Sequence, residues 1–191
     1  MEIYLIRHTK VDNPAKLCYG QSDIALAPNW KSSFDSLKNK LGEIPSCSVF
    51  YSSPFKRCTQ LAEFLSGDQY LIEPRISEMH FGNWEQLAWT NIDQADLNLW
   101  MADYVTYKVP GGENFEELFK RCAQFWDELH SQNQPATFII THGGVIRSIL
   151  AHLLNIPLDK VFQLEIDYSS VTRITVNKQY SNYQKIAYIN R

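Results

Sequence analysis

Three short apolar runs, each ending in polar residues, constrain the fold more than any other feature of this chain. The runs are "IYLIRH" (residues 3–8), "SVFYSS" (48–53) and "TFIITHGG" (137–144), and each is followed by a segment with helical spacing. β-branched and aromatic residues favour strands, and strands that alternate with helices favour parallel pairing in one sheet. The sequence therefore predicts an α/β fold: a three-layer α/β/α sandwich with a mostly parallel sheet.

The helical segments have recognisable ends. Helices are predicted over about 29–41, from Ser53-Pro54 with Ser53 as the N-cap, over about 113–130, and from Gly143-Gly144 to just before Pro157. Glycine after a helix, proline in its first turn and apolar residues at a 3.6-residue period support these limits. The carboxyl-terminal residues predict two further strands around a turn at about 177–182.

The region from about 74 to 110 differs in composition from the rest of the chain, since it is rich in aromatic residues and poor in β-branched runs. A chain of 191 residues is typical of one domain. We therefore expect a single domain over residues 1–191, with a small helical and aromatic cap inserted over one end of the sheet. Its candidate surfaces for stacking a flat ligand are Phe81, Trp84, Trp89, Trp100, Tyr104 and Tyr107.

Composition excludes several classes of function. The net charge is −3 and the basic residues are scattered, which argues against nucleic acid as a partner. The four cysteines form no CxxC pair, so neither a zinc site nor a disulfide framework is expected, and we predict a cytoplasmic location. The apolar run before Arg7 is short and carries Glu2, so we do not expect it to act as a signal peptide. No apolar run approaches the ~20 residues that span a bilayer, so no membrane partner is expected.

Polar residues follow the predicted strands where ligands bind in open α/β sheets, at the carboxyl ends. Arg7 and His8 end the first run, His142 and Gly143 end the third, and Arg57 lies in the first turn after the second. Taken alone, His142 is more often a structural histidine and Arg57 a solvated helix residue. Together they predict a phosphate site, because guanidinium groups and a helix amino terminus both bind phosphate oxygens.

Five motifs carry a resemblance to a known family. They are "LIRHT" at residue 7, "YSSPFKRCTQLA" (51–62), "ISEMHFGNWE" (76–85), "PGGENFEEL" (110–118) and "THGGVIRSIL" (141–150). In this order they resemble the histidine phosphatase superfamily, which has the phosphoglycerate mutase-like fold. The likeness spans nearly the whole chain.

The resemblance implies a role for each polar residue. His8 becomes the nucleophile that accepts the phosphoryl group, Arg7, Arg57 and His142 form the phosphate pocket, and Glu78 becomes the acid. The chemistry agrees, because only a neutral imidazole can attack phosphorus and nearby arginines disfavour a second positive charge. No metal and no cofactor are expected.

The segment "LCYGQSDIALAP" (17–28) resembles the α-ribazole phosphatases of cobalamin biosynthesis. That likeness implies hydrolysis of α-ribazole 5′-phosphate, or of cobalamin 5′-phosphate, in adenosylcobalamin biosynthesis. The substrate contacts expected on this basis are Arg7, Thr9, Tyr19, Gly20, Gln21, Arg57, Glu78, His142 and Gly143. One departure is Gln86, which stands where the family pattern has glycine after Trp84-Glu85, so the turn there is expected to differ.

Other functions stay open at this stage. The same site suits a broad-specificity sugar-phosphate or phosphomonoester phosphatase, or a phosphoglycerate mutase. A phosphoester-binding module without catalysis is disfavoured, because the nucleophile, both arginines, the second histidine and the acid are all present. The expected partner is a small-molecule phosphate ester, and a homodimer is also considered.

Overall fold

The computed structural model describes residues 1–129, 135–177 and 183–191. The strands within this part of the chain are β1 Glu2–Arg7, β2 Val49–Ser52, β3 Leu71–Ile72, β4 Ala136–Thr141, β5 Val171–Asn177 and β6 Tyr183–Tyr188. Its α-helices are α1 Trp30–Leu41, α2 Lys56–Ser66, α3 Gln94–Ala102, α4 Phe115–Leu129 and α5 Gly143–Leu154. The predicted helix end at 130 and most of the predicted turn at 177–182 lie outside the described residues.

The strands form one six-stranded sheet in the order β3-β2-β4-β1-β5-β6. Strands β1, β2, β3 and β4 pair in parallel, whereas β5 runs antiparallel to both β1 and β6. The predicted fold class is therefore confirmed, including the two carboxyl-terminal strands. The register places Arg7 opposite Thr141, so the polar residues that follow β1 and β4 begin side by side.

Helices cover both faces of the sheet, because alternate residues of the central strands point to opposite sides. Ile3 and Leu5 of β1 share one buried cluster with residues of α4 and α5. Phe138 and Ile140 of β4 share the other cluster with residues of α1 and α2. Each fully buried aliphatic or aromatic side chain contributes roughly 1.5–3 kcal/mol, and this double burial explains why the runs are continuously apolar.

Two helices begin later than their sequences indicate. Helix α2 begins at Lys56, so the prediction that Ser53 is its N-cap is wrong. The backbone N–H of Ser53 donates to the Ile140 carbonyl at 3.0 Å, which continues the pairing of β2 with β4. Helix α4 begins at Phe115 because Asn114 and Glu117 cap it reciprocally, each side chain accepting the other's backbone N–H.

No helix in the described ranges is both long and apolar enough to cross a membrane.

The segment from 74 to 110 consists of short 3-10 helices and α3, and it packs on the α4 and α5 side of the sheet. Trp84 and Ile92 are buried in that core, at 4% and 2% exposure. Gln86 has φ +64°, so this residue adopts the left-handed backbone that glycine favours, at a cost of roughly 1–2 kcal/mol. Gln86 therefore adopts, without being glycine, the kind of backbone conformation that glycine favours.

Candidate active site

The carboxyl ends of β1 and β4 bring two histidines together. The backbone N–H of His8 donates to the Thr141 carbonyl at 3.0 Å, which extends the strand pairing to the first residue after β1. The rings of His8 and His142 then lie 5.2 Å apart between centroids at an angle of 66°. Both side chains are buried, with 2% and 0% exposure.

The ring of His8 is held in one tautomer. Its Nδ1 lies 2.8 Å from the Thr9 carbonyl oxygen, and since a carbonyl only accepts, Nδ1 carries the proton. Burial lowers the pKa of His8 well below its usual value, and the charges of Arg57 and Arg7 lower it further. At neutral pH the ring is therefore uncharged, with a lone pair on Nε2. The arginines act as predicted, but burial is the larger cause.

His142 is oriented by its own two partners. The Nε of Arg57 donates to Nδ1 at 3.4 Å, so Nε2 carries the proton and donates to the Ser53 hydroxyl at 2.7 Å. Burial lowers the pKa of His142, and the charge of Arg57 lowers it further. Both rings are thus neutral and differ in tautomer.

Arg57 is fully buried, which sets it apart from the solvated residue that its helix position alone indicates. Its Nη1 donates to the Ser22 carbonyl at 2.8 Å, and its Nη2 donates to the Gly20 carbonyl. With its Nε on His142, this guanidinium joins the loop at 20–22 to the histidine pair.

Glu85 holds that loop in place, a role that sequence reasoning missed. Its carboxylate accepts the backbone N–H groups of Gly20, Gln21, Ser22 and Phe81 at 2.8–3.1 Å. Burial alone would raise the pKa of Glu85, but the N–H groups of Gln21 and Gly20 offset it and hold the pKa below its usual value. The sequence signal that could have indicated this role is the position of Glu85 at the end of the motif 76–85.

Arg7 has an unused donor. Its Nη1 donates to the Ile166 carbonyl at 2.5 Å and its guanidinium lies 3.8 Å above the Tyr168 ring. The Nε of Arg7 is buried without a hydrogen-bond partner among the described residues. An unpartnered buried N–H costs about 1–3 kcal/mol, so this arrangement suits an oxyanion that supplies the missing acceptor.

Glu78, in the segment from 74 to 110, lines the same cavity as Arg7. Its carboxylate accepts the backbone N–H of Met79 at 3.0 Å and that of Gly144 at 3.1 Å, in the first turn of α5. Its own carbonyl accepts from Arg121 at 3.0 Å and from Gln21 at 3.1 Å. The side chain is therefore positioned from both ends beside the helix amino terminus.

A cavity of about 280 Å³ opens in front of these groups. Of the predicted site residues, Arg7, His8, Tyr19, Glu78 and Gly143 line it. Arg57 and His142 are fully buried and are not among the lining residues; the His142 ring lies 5.2 Å from that of His8 and accepts from Arg57. Thr9 is buried as well, and Gly20 and Gln21 belong to the loop that Glu85 holds. Gly144, at the helix amino terminus that the sequence indicated as an anion site, also lines it. Sequence reasoning did not assign to the site the remaining lining residues, which are Leu17, Met79, Phe115, Leu118, Arg147 and Phe162.

Four of the six candidate stacking residues line the cavity, namely Phe81, Trp89, Trp100 and Tyr104. Trp84 packs in the core instead, and the Tyr107 hydroxyl donates to Asp96 at 3.1 Å. The cavity thus joins a cationic end with two arginines to an aromatic end. Within the described ranges, no three His, Cys, Asp or Glu side chains are grouped so that they could hold a metal ion.

We expect the two buried histidines to make stability depend on pH. Unfolded histidines titrate near pH 6.5, whereas burial keeps His8 and His142 neutral in the fold, so below pH 6.5 the unfolded state binds more protons. The free energy of unfolding then falls as the pH falls below 6.5, by up to about 1.4 kcal/mol per pH unit for each histidine. Urea titrations between pH 7 and pH 5 measure this slope. His142→Gln is expected to reduce it by about one proton, and an unchanged slope would contradict this account.

Comparisons with known proteins agree with this architecture. A family model described as "Histidine phosphatase superfamily (branch 1)" matches residues 3–188. The adenosylcobalamin/alpha-ribazole phosphatase of Escherichia coli (strain K12) is 24% identical over 189 residues, which cover 95% of this chain and 93% of that protein. A protein of Hydrogenobacter thermophilus named "Putative phosphoserine phosphatase 2" is 26% identical over 201 residues, which cover 99% of this chain and 95% of that protein.

The alpha-ribazole phosphatase from Shigella flexneri has a similar crystal structure. It matches with a TM-score of 0.90 at 22% identity, over 100% of this chain and 96% of that one. The likeness shows a shared fold.

Proposed function

The chain belongs to the histidine phosphatase superfamily, and from this premise we propose that it hydrolyses α-ribazole 5′-phosphate, or cobalamin 5′-phosphate, through a phosphohistidine at His8. The observation that carries the proposal is the neutral ring of His8, with a lone pair on Nε2, in the same cavity as Arg7, whose Nε is buried without a hydrogen-bond partner among the described residues. A nucleophile and an oxyanion donor in one buried site are what phosphoryl transfer needs.

The first step forms a bond between His8 Nε2 and phosphorus and breaks the bond between phosphorus and the ester oxygen. The electron pair of that bond goes to the ester oxygen, which takes a proton from the Glu78 carboxyl group and leaves as an alcohol. Arg7 and Arg57 stabilise the charge on the phosphoryl oxygens, which is where most of the catalysis is expected to arise.

The second step returns the site to its starting state. The oxygen of a water molecule bonds to phosphorus while the nitrogen–phosphorus bond breaks and its electron pair returns to His8. The Glu78 carboxylate takes a proton from the water as it attacks, so the acid of the first step is the base of the second. Inorganic phosphate leaves, and both residues recover their original proton count.

The aromatic end of the cavity supports a substrate with a flat base. Phe81, Trp89, Trp100 and Tyr104 lie 5.9–6.4 Å apart between neighbouring ring centroids and face the space beyond Arg7. A benzimidazole base could stack on such surfaces, and burial of its area supplies binding energy far from the reacting phosphate. Two relatives of this chain are named as adenosylcobalamin/alpha-ribazole phosphatases, which supports the same substrate.

Steady-state kinetics test this proposal. We expect kcat/KM for α-ribazole 5′-phosphate to exceed that for ribose 5-phosphate by about 100-fold or more, because only the former buries an aromatic base. Adenosine 5′-monophosphate and common sugar phosphates complete the panel. Comparable values across the panel would reject the substrate and favour a broad-specificity phosphomonoesterase, the second candidate, which the phosphoserine phosphatase name of one relative supports.

Glu78→Gln is expected to reduce turnover in a way that depends on the leaving group. An alkyl alkoxide needs a proton as it leaves, so α-ribazole 5′-phosphate is expected to lose about 10²- to 10⁴-fold in kcat/KM. p-Nitrophenolate barely needs one, so p-nitrophenyl phosphate is expected to lose about 10-fold or less. The measurement is kcat/KM for both substrates with both proteins. Equal losses on the two would remove Glu78 from the acid role.

A further inference from the structure

Arg147 is a cation of the cavity that the mechanism above does not use. It lies one helical turn after Gly143 on α5, which directs its side chain back to the cavity. Its Nε donates to the Leu164 carbonyl at 3.0 Å, and its guanidinium lies 5.0 Å from the centroid of the Phe162 ring. No carboxylate in the described part of the chain forms an ion pair with it, and no hydrogen bond is described for Nη1 or Nη2.

The position of Arg147 is between the two ends of the cavity. On one side, the space that a Cβ at Gly143 would occupy lies 3.0 Å from Arg147 Nη1 and 3.5 Å from the Cζ of Arg7, so both guanidinium groups approach the same glycine. On the other side, Phe162 lies 4.8 Å from the Tyr104 ring, which belongs to the aromatic end. Arg147 therefore faces the part of a bound ester that connects its phosphate to its base, which is the sugar.

The charges around Arg147 favour a neutral oxygen group over a second anion. Burial lowers the pKa of Arg147 and the charge of Arg7 lowers it further, while Glu78 acts in the opposite direction. A carboxylate or second phosphate on the substrate would lie beside the acceptor oxygens of Glu78, which already accept from the backbone N–H groups of Met79 and Gly144. A hydroxyl group accepts from the guanidinium and can also donate to an acceptor such as a carboxylate, so it satisfies both neighbours.

We propose that Arg147 determines specificity by donating hydrogen bonds from Nη1 and Nη2 to the ring hydroxyl groups of a ribose-type leaving alcohol. This inference rests on the proposed function, because it assumes that the ester phosphate occupies the site beside His8 and Arg7. The inference adds that the enzyme recognises the sugar of its substrate as well as the base. The substrates it selects are therefore esters whose leaving alcohol carries neighbouring hydroxyl groups.

The experiment compares binding of α-ribazole 5′-phosphate with that of its 2′,3′-dideoxy analogue. Binding is measured by calorimetry in the H8A background, in which the missing nucleophile prevents turnover. Arg147→Met removes the donors while retaining much of the side-chain length. We expect the substitution to raise Kd for the hydroxylated ligand by about 10- to 100-fold and for the dideoxy ligand by less than about 3-fold, in line with charge-assisted hydrogen bonds. Arg147→Lys is expected to recover part of the preference.

The matched control is Arg173→Met, which removes an arginine of β5 that pairs with Glu2 at 2.6 Å. It is expected to leave both Kd values unchanged. Equal weakening of the two ligands by Arg147→Met would overturn the inference, since it would mean that Arg147 acts on the phosphate or on the fold. Phosphoserine is the third ligand of the comparison. If Arg147→Met raised Kd for phosphoserine more than for the hydroxylated ligand, the inference would also be overturned, because Arg147 would then bind a substrate carboxylate.

A failure of the proposed function can be distinguished from a failure of the inference about Arg147. If α-ribazole 5′-phosphate binds with the expected dependence on Arg147 but wild-type protein does not hydrolyse it, the inference about Arg147 stands and the proposed substrate is wrong. If neither ligand binds, both are wrong.

Discussion

His8→Ala is expected to lower kcat for phosphate esters by about 10⁴-fold or more, because it removes the atom that bonds to phosphorus. The ring makes one described hydrogen bond, to the Thr9 carbonyl, and packs beside His142 and Tyr168, so the fold is expected to survive its removal. Kinetics with p-nitrophenyl phosphate and circular dichroism measure the two effects. Substantial residual activity in a folded variant would reject the covalent mechanism.

A second readout identifies the intermediate directly. Wild-type protein mixed briefly with a ³²P-labelled ester and quenched in alkali is expected to retain label that acid releases, which is the behaviour of a phosphohistidine. His8→Ala is expected to retain none. His152→Ala is the matched control, because this histidine lies on the exposed side of α5 with Asp127 and is expected to leave labelling and turnover unchanged.

Arg57→Met is expected to lower kcat/KM by about 10³-fold, since a fixed positive charge close to the nucleophile His8 is lost. It is also expected to move the acid limb of the pH profile to higher pH. After burial itself, Arg57 is the strongest cause that lowers the pKa of His8, so without it the ring protonates more readily. Below that limb the nucleophile is an imidazolium without a lone pair. A pH–rate profile from pH 4 to pH 8 measures both effects.

Glu85→Gln separates charge from loop position in that result. This change weakens the hydrogen bonds that the side chain of residue 85 accepts from the loop at 20–22, whose carbonyls accept from Arg57. It retains the Arg57 guanidinium and its charge. We expect a smaller loss of about 10-fold and no shift of the acid limb. If the two variants lose activity equally and neither shifts the limb, Arg57 acts by shaping the loop and its charge is not needed.

Arg57 and Arg7 give the candidate site a positive charge that is assembled before substrate arrives. Arg57 is buried without a described carboxylate partner, and Arg7 keeps a buried N–H without an acceptor. Both features are costly in the free protein, and both are relieved by a phosphate dianion. Preorganised donors of this kind favour the transition state, because they need no rearrangement as charge develops.

The sequence alone was sufficient for the fold class, for the family and for the meeting of Arg7, His8 and His142 at one edge of the sheet. Apolar runs that end in polar residues identify buried parallel strands, and parallel strands bring their carboxyl ends to one edge, so Arg7, His8 and His142 are predicted to meet. The resemblance of the five motifs to the histidine phosphatase superfamily is confirmed by the match over residues 3–188. These features depend on local patterns and on the order of elements along the chain.

Only the tertiary structure decided how each group is held. The tautomers of His8 and His142 follow from the Thr9 carbonyl and the Ser53 hydroxyl, and the burial of Arg57 follows from a loop that lies more than thirty residues before it. Arg147 approaches the Phe162 ring and lines the same cavity as Trp100 because segments distant in sequence pack together there. Periodicity identifies which face of an element is buried, but partners from other segments are set by side-chain packing in three dimensions, and therefore the donors and acceptors of the site appear only in the folded chain.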